Sequence, residues 1–363
     1  MPRLFAVKGR SFVPFISSAL LMCLIYKNDD QQLRLMRLKS LEHQLSISEQ
    51  NNETMVSCKV SFKLGKCSCT RSIHASVPDA CPNVSSAFAA QAILKEIQTR
   101  YGPSTCGDWA TLRGPNQKVV SYSIYGPYPS GYYDGMNMIL PRIKEVYPGW
   151  VTRLYYRTDK SNPNITRWMC DLACKHPHFD LCDIERLPVF GNITYSVGRV
   201  WRFATMGDNL VDKFMVRDSD SPILQREVDA VNEWLADGTC FHVMRDHPFH
   251  GIPMLAGMWG GCNTWKPDQV FNATARILRE STWSRADQPV MGRKLWPIAS
   301  MNITPHDAYS CRSFGKNKPF PSQRVNFTYI GEKSYMKAFK RPTTFRECPI
   351  YCRPKDHQDW KYC

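Results

Sequence analysis

A chain of 363 residues, 43% of them apolar, has ample material for a core and suits one large domain or two smaller ones. Its formal charge of +15, from 47 basic and 32 acidic residues, favours anionic partners such as nucleotide phosphates, anionic lipid or acidic glycans. The positive charge is spread rather than run together, which argues against a nucleic-acid-binding tail.

Arg3, Lys8 and Arg10 precede an uncharged stretch, "SFVPFISSALLMCLIY", at residues 11–26. It reads as a cleaved signal peptide or as an uncleaved anchor. No small-residue cleavage site follows, which favours the anchor. Sixteen residues fall short of the roughly 20 of a typical span, but early secretory membranes are thinner. The basic flank keeps residues 1–10 cytoplasmic, so the expectation is a single-pass type II protein of the Golgi or ER membrane, with its bulk lumenal.

Residues 27–117 read as a stem and a Cys-rich lumenal segment. Leu38, Leu41 and Leu45 sit at helical spacing, but Arg34 interrupts the stripe one turn earlier. The stretch reads equally as a short amphipathic helix that could pair in a homodimer or as a solvated linker. "SSAFAAQAILKEIQTRYG" predicts a helix, capped by Ser85 or Ser86 and stopped at Gly102.

Fifteen cysteines lack the paired C-x-x-C spacing of zinc ribbons. Cys23 lies in the apolar stretch, and the other fourteen form an even set, as disulfides in an oxidising lumen require. Seven N-x-[ST] sequons, beginning at Asn52, Asn83, Asn164, Asn192, Asn272, Asn302 and Asn326, all follow that stretch and agree with a secretory-pathway glycoprotein. Pro305 weakens the Asn302 site.

From residue 118 strands and helices alternate. "KVVSYSIYG" predicts a strand, "GYYDGMNMILPRIKEVYPG" a helix and "WVTRLYYRT" a second strand. A cysteine-rich insertion is expected at residues 160–186. "DKFMVRD" and "FHVMRD" predict strands on either side of a helix at "REVDAVNEWLADG". This order predicts an α/β domain with a mixed, mostly parallel sheet, whose ligands bind beyond the carboxyl ends of the strands.

"RDSDS" stands at such an end. Asp218 and Asp220 point to one side of an extended chain and Ser219 to the other. Two carboxylates so placed repel unless water or a cation absorbs the charge. Mn²⁺ or Mg²⁺ suits oxygen ligands and bridges to phosphate; a solvated turn is the competing reading. Tyr125 and Gly126, ending the first strand, stand where a nucleoside could settle. Arg217 reads as a phosphate contact or, more simply, as half of a salt bridge. His242, Asp246, His247 and His250 suggest a metal-dependent hydrolase when read alone. Pro248 disfavours the helix such a site needs, so an acceptor-side loop is preferred, with Asp246 as a second base and His247 against substrate. Trp259 is a sugar-stacking platform or a core residue.

Several segments together resemble the metal-dependent GT-A glycosyltransferases. They are "MVRDSDSPILQREVDAVNEWL" followed by "FHVMRDHPFHGIPMLAGMWGG", then "ADQPVMGRKLWP" and "TPHDAYSC", within residues 118–332. Residues 160–186 and the extension at 333–363 fit no pattern of that family. The resemblance implies a GT-A-like fold and a lumenal transferase moving a sugar from a nucleotide-sugar donor to a glycan or glycoprotein acceptor. It implies Asp218 and Asp220 as ligands of Mn²⁺, with His306 as a third. Asp287 is implied as the base that deprotonates the acceptor, or with Gln288 as a neighbour of the anomeric carbon; Asp287 reads equally as a helix cap. The alternatives are a lectin-like glycan-binding protein that has lost turnover and, less favoured, the hydrolase.

Overall fold

The computed structural model describes residues 55–64, 67–78, 80–81, 86–333 and 346–363. The expected anchor and the stem leucines lie outside the described residues. No helix among those described is long and apolar enough to cross a membrane. These described residues form one compact unit.

A hairpin of β1 (Met55–Lys63) and β2 (Thr70–Pro78) opens the described chain, followed by α1 (Ser86–Tyr101) and α2 (Asp108–Thr111). The central sheet then begins with β3 (Gln117–Ile124), α3 (Gly131–Val146), β4 (Val151–Tyr156), α4 (Pro163–Lys175) and β5 (Phe179–Asp183). A 3₁₀ helix (Gly198–Thr205) leads into β6 (Val211–Arg217), α5 (Gln225–Asp237), β7 (Phe241–Arg245) and β8 (Met258–Cys262). After α6 (Pro267–Glu280), α7 (Asp287–Lys294) and α8 (Trp296–Ala299), β9 (Ile303–Asp307) completes the sheet.

The seven strands lie in the order β5-β4-β3-β6-β8-β7-β9. Every neighbouring pair is parallel except the two made by β8. This is the expected α/β architecture with a mixed, mostly parallel sheet. The chain builds outward from β3 to β5, then returns to set β6 on the other side of β3. At that reversal the carboxyl ends of β3 and β6 stand side by side and open a crevice.

The strands are apolar on both faces, as sheets covered on both sides require. Val119, Phe214 and Val216 face one core with Phe203, Trp259, Ile277 and Met291. Val120 and Met215, one residue out of phase, face the other with Ile139, Leu154, Leu172 and Trp234. Each fully buried side chain of this size contributes about 1.5–3 kcal/mol.

The expected insertion at 160–186 is instead part of the scaffold. Ile165, Trp168 and Leu172 form a buried helical stripe on α4, which begins with a proline and is capped by Asn162, whose side chain accepts the Asn164 N–H at 3.0 Å. β5 is the outermost strand. Its polar Asp180 hides the strand pattern in the sequence, and it is buried because Arg113 and Arg71 donate to it, at 2.7 and 3.3 Å.

All fourteen cysteines after Cys23 are paired. Cys67–Cys170 and Cys69–Cys174 clip the hairpin to α4, so this Cys-rich segment is fastened to the α/β unit. Cys311–Cys352 and Cys348–Cys363 fold the C-terminal extension back, where Cys348 and Cys363 join Met244, Leu255, Phe320 and Ile330 in a third cluster.

Candidate functional site

The crevice at the strand-order reversal is a cleft of about 280 Å³. Residues from separated segments line it: Ser123 and Tyr125 at the end of β3, Tyr132 on α3, Arg199 and Arg202 on the 3₁₀ helix, Asp218 to Asp220 after β6, Leu255 to Met258 leading into β8, and Asp287 and Gln288 at the start of α7. Gly331 and Lys333 close the lining.

The acid pair is held from three sides. Gly135 of α3 lies against the Ser219 carbonyl so closely that a β-carbon there would come within 1.8 Å of the oxygen. Gly257 leaves the space that the Asp218 carboxylate fills. Arg202 donates through Nη1 to Asp218 Oδ1 at 2.5 Å and to the Arg217 carbonyl at 2.7 Å. Lys333 Nζ stands 3.5 Å from Asp220 Oδ2. The Asp218 side chain is 41% exposed and that of Asp220 only 5%. Burial, and then the charge of Asp218, push the Asp220 carboxyl above its ordinary value, with Lys333 opposing.

Two hard oxygen donors face one cleft, and one of them ionises against both burial and a neighbouring charge. A divalent cation would relieve that imbalance, so the pair fits a Mg²⁺- or Mn²⁺-type ion completed by water or phosphate. Across the cleft, Arg199 bonds the Tyr125 phenol, which holds its guanidinium above the ordinary value against partial burial. Tyr125 is 39% exposed and its ring meets Trp201 edge-on at 5.5 Å. Asp287 opens α7 and is 6% exposed. Gln288 Oε1 is buried with no hydrogen-bond partner.

The structure thus brings together Tyr125, Asp218, Asp220, Asp287 and Gln288. It places the other residues elsewhere. Gly126 is exposed, and its carbonyl accepts from the Tyr133 hydroxyl at 3.1 Å. Arg217 is buried and ties β6 to α5 and β8, donating to Glu227 at 2.6 Å and the Trp259 carbonyl at 2.7 Å; it is the salt bridge, not a phosphate contact. Asp246 is fully buried between Arg226 and Arg324, which donate to it at 3.0 and 2.6 Å, so it faces no acceptor. Trp259 is a core residue at 0% exposure, edge-on to Phe203 and Phe214, and offers no face to a sugar.

His306 is also fully buried. Its Nδ1 pairs with His242 Nε2 and its Nε2 with Glu233, both at 2.8 Å, so neither nitrogen is left for a metal beside the acid pair. His247 packs on Tyr329 with ring centroids 4.5 Å apart, and its Nδ1 accepts from the Phe249 N–H. Among the described residues no three His, Cys, Asp or Glu side chains group as a metal centre.

Sequence reasoning missed Arg199, Arg202, Gly257 and Lys333. The two arginines did carry a signal: they are the charged residues of "GRVWRFAT", three apart in an otherwise apolar run. Lys333 carried none, being remote in sequence from everything it meets. No family model and no curated protein matches this chain.

Proposed function

We propose that this protein is a glycosyltransferase of GT-A type, moving a sugar from a nucleotide-sugar donor to a glycan or glycoprotein acceptor in the secretory-pathway lumen. The observation that carries the reading is the meeting of Asp218, Asp220, Tyr125 and Asp287 in one cleft at the strand-order reversal. Charge supports it. Among the described residues the lining holds three cations, Arg199, Arg202 and Lys333, and three carboxylates, Asp218, Asp220 and Asp287. Such a neutral cleft balances the two negative charges of a donor diphosphate only if a divalent cation comes with it.

Asp218 and Asp220 would hold Mn²⁺ or Mg²⁺, which supplies Lewis-acid stabilisation of the departing diphosphate when bound. Arg199 and Arg202 face phosphate oxygens with guanidinium forks that suit them. The exposed face of Tyr125 takes the nucleoside. Asp287 receives the proton of the attacking acceptor hydroxyl, or stands with Gln288 beside the anomeric carbon. The seven disulfides support an oxidising compartment.

The test is thermal protection of the protein by a panel of nucleoside-diphosphate sugars, each with and without Mn²⁺. Protection by one of them that requires Mn²⁺, followed by its turnover on a glycan panel, is the expected result. A second reading, a lectin-like protein without turnover, draws on one observation: Arg202 and Lys333 already compensate the acid pair. It predicts sugar or nucleotide binding that is indifferent to Mn²⁺ and no turnover.

A further inference from the structure

Arg202 and Asp218 are unequal partners. Arg202 is 4% exposed where it lines the cleft, while the carboxylate it holds is 41% exposed. Its Nη1 serves two acceptors at once, Asp218 Oδ1 and the Arg217 carbonyl, while its buried Nε has no hydrogen-bond partner. The guanidinium therefore occupies an oxygen that a cation between Asp218 and Asp220 needs. Two positive charges cannot share it, because like charges a few ångströms apart in a half-buried cleft repel strongly.

Three residues earlier on the same 3₁₀ helix stands Arg199. In a 3₁₀ helix side chains at i and i+3 eclipse one another, and both arginines line the cleft. Both guanidinium groups therefore border the one cleft that would receive an anion.

We propose that Arg202 is the resident counter-ion of the cation site: it neutralises Asp218 in the resting protein and transfers to the donor's diphosphate when cation and nucleotide enter together. The inference rests on the glycosyltransferase reading and adds a binding order to it. The cation alone binds poorly, because it must displace Arg202 with nothing to receive it. The nucleotide supplies the receiving phosphate. Arg202 is a positioning residue for the cation and a direct contact for the diphosphate. If it only braced the turn at Asp218, its removal would loosen the site and weaken the binding of both.

The test uses the full chain and two probes, Mn²⁺ alone followed by nucleoside diphosphates with Mn²⁺, titrated by calorimetry. Arg202→Gln is expected to tighten binding of Mn²⁺ alone by about tenfold, a coupling of ordinary size, and to weaken Mn²⁺-dependent diphosphate binding by a similar factor. Arg202→Lys keeps the charge and loses the fork. It is expected to leave binding of Mn²⁺ alone near wild type and to weaken the diphosphate, and it decides the matter should Arg202→Gln fail to fold. Unchanged or weaker Mn²⁺ binding in Arg202→Gln overturns the proposal, as does wild-type diphosphate affinity in Arg202→Lys. A wild-type protein that binds no diphosphate with Mn²⁺ removes the glycosyltransferase reading itself. Wild-type binding with unshifted variants removes this inference alone.

Discussion

A β-carbon on Gly257 would fall 1.9 Å from Asp218 Oδ2 and 2.5 Å from its Cγ. The carboxylate is held between this glycine and Arg202, so its position depends on a missing methyl group as much as on a charge. Gly257→Ala is expected to push Asp218 out of place while leaving the core intact, since Gly257 is not in the left-handed region and alanine also narrows the unfolded ensemble. The expected outcome is a loss of about tenfold or more in Mn²⁺-dependent nucleotide affinity, with a melting temperature within a few degrees of wild type. Wild-type affinity in a folded variant would show that Asp218 does not hold the cation.

Asp220→Asn separates stability from function. Burial and Asp218 both disfavour the ionised form of Asp220, so its charge costs the fold something at neutral pH. The amide removes that cost along with the weak 3.5 Å approach of Lys333. Stability should stay level or rise slightly, while turnover falls by about a hundredfold or more through lost charge stabilisation. Chemical denaturation and a transfer assay on the same preparation measure both. A variant that is less stable and fully active would mark the pair as a structural turn.

What the sequence made legible follows the range of the interaction involved. β3, β6 and β7 are short runs of apolar and β-branched residues bounded by turn residues, and they stand where the pattern places them. The acid pair, Tyr125, Asp287 and Gln288 could be found because strand ends and helix starts are local features, and the α/β topology gathers such points at one edge. Asp246, His306 and Trp259 went astray because partners far away decide their roles. Arg324 reaches Asp246 across 78 residues of sequence and His242 meets His306 across 64, and neither contact leaves a mark in a window of local sequence. β5 was missed because a buried ion pair with Arg71 and Arg113 pays for the aspartate that breaks its apolar pattern.

The clips Cys67–Cys170 and Cys69–Cys174 enclose 103 and 105 residues, so each closes nearly the same loop. Opening one leaves the other to restrain the unfolded chain, and only a small ring is lost. Cys67→Ser with Cys170→Ser is therefore expected to cost about 2–2.5 kcal/mol, well below the roughly 4–5 kcal/mol that a lone loop of this length implies. Removing both bridges should cost clearly more than twice the single loss. Additive losses in equilibrium unfolding would show that the two bridges restrain the chain independently.

Acid should destabilise the fold through its buried histidines. Burial, and then the charge of His306, hold His242 well below its ordinary value, and burial likewise lowers His306. Burial pushes His250 down to about 4, with Asp246 pulling the other way and His247 and Arg324 adding to the drop. Histidines in the unfolded chain take up protons near pH 6.5. A folded value below the unfolded one means stability that is complete above about pH 6.5 and declines as pH falls toward the folded value. For His250 alone the loss at pH 5 is about 2 kcal/mol. Urea midpoints should therefore fall between pH 7.5 and pH 5, and they should fall less in His250→Gln. Glutamine is uncharged at both pH values and its side-chain oxygen can still accept the Asp246 N–H that His250 accepts at 3.0 Å. A midpoint that stays level or rises toward pH 5 would mean that these rings are already charged in the folded protein, and that solvent reaches them.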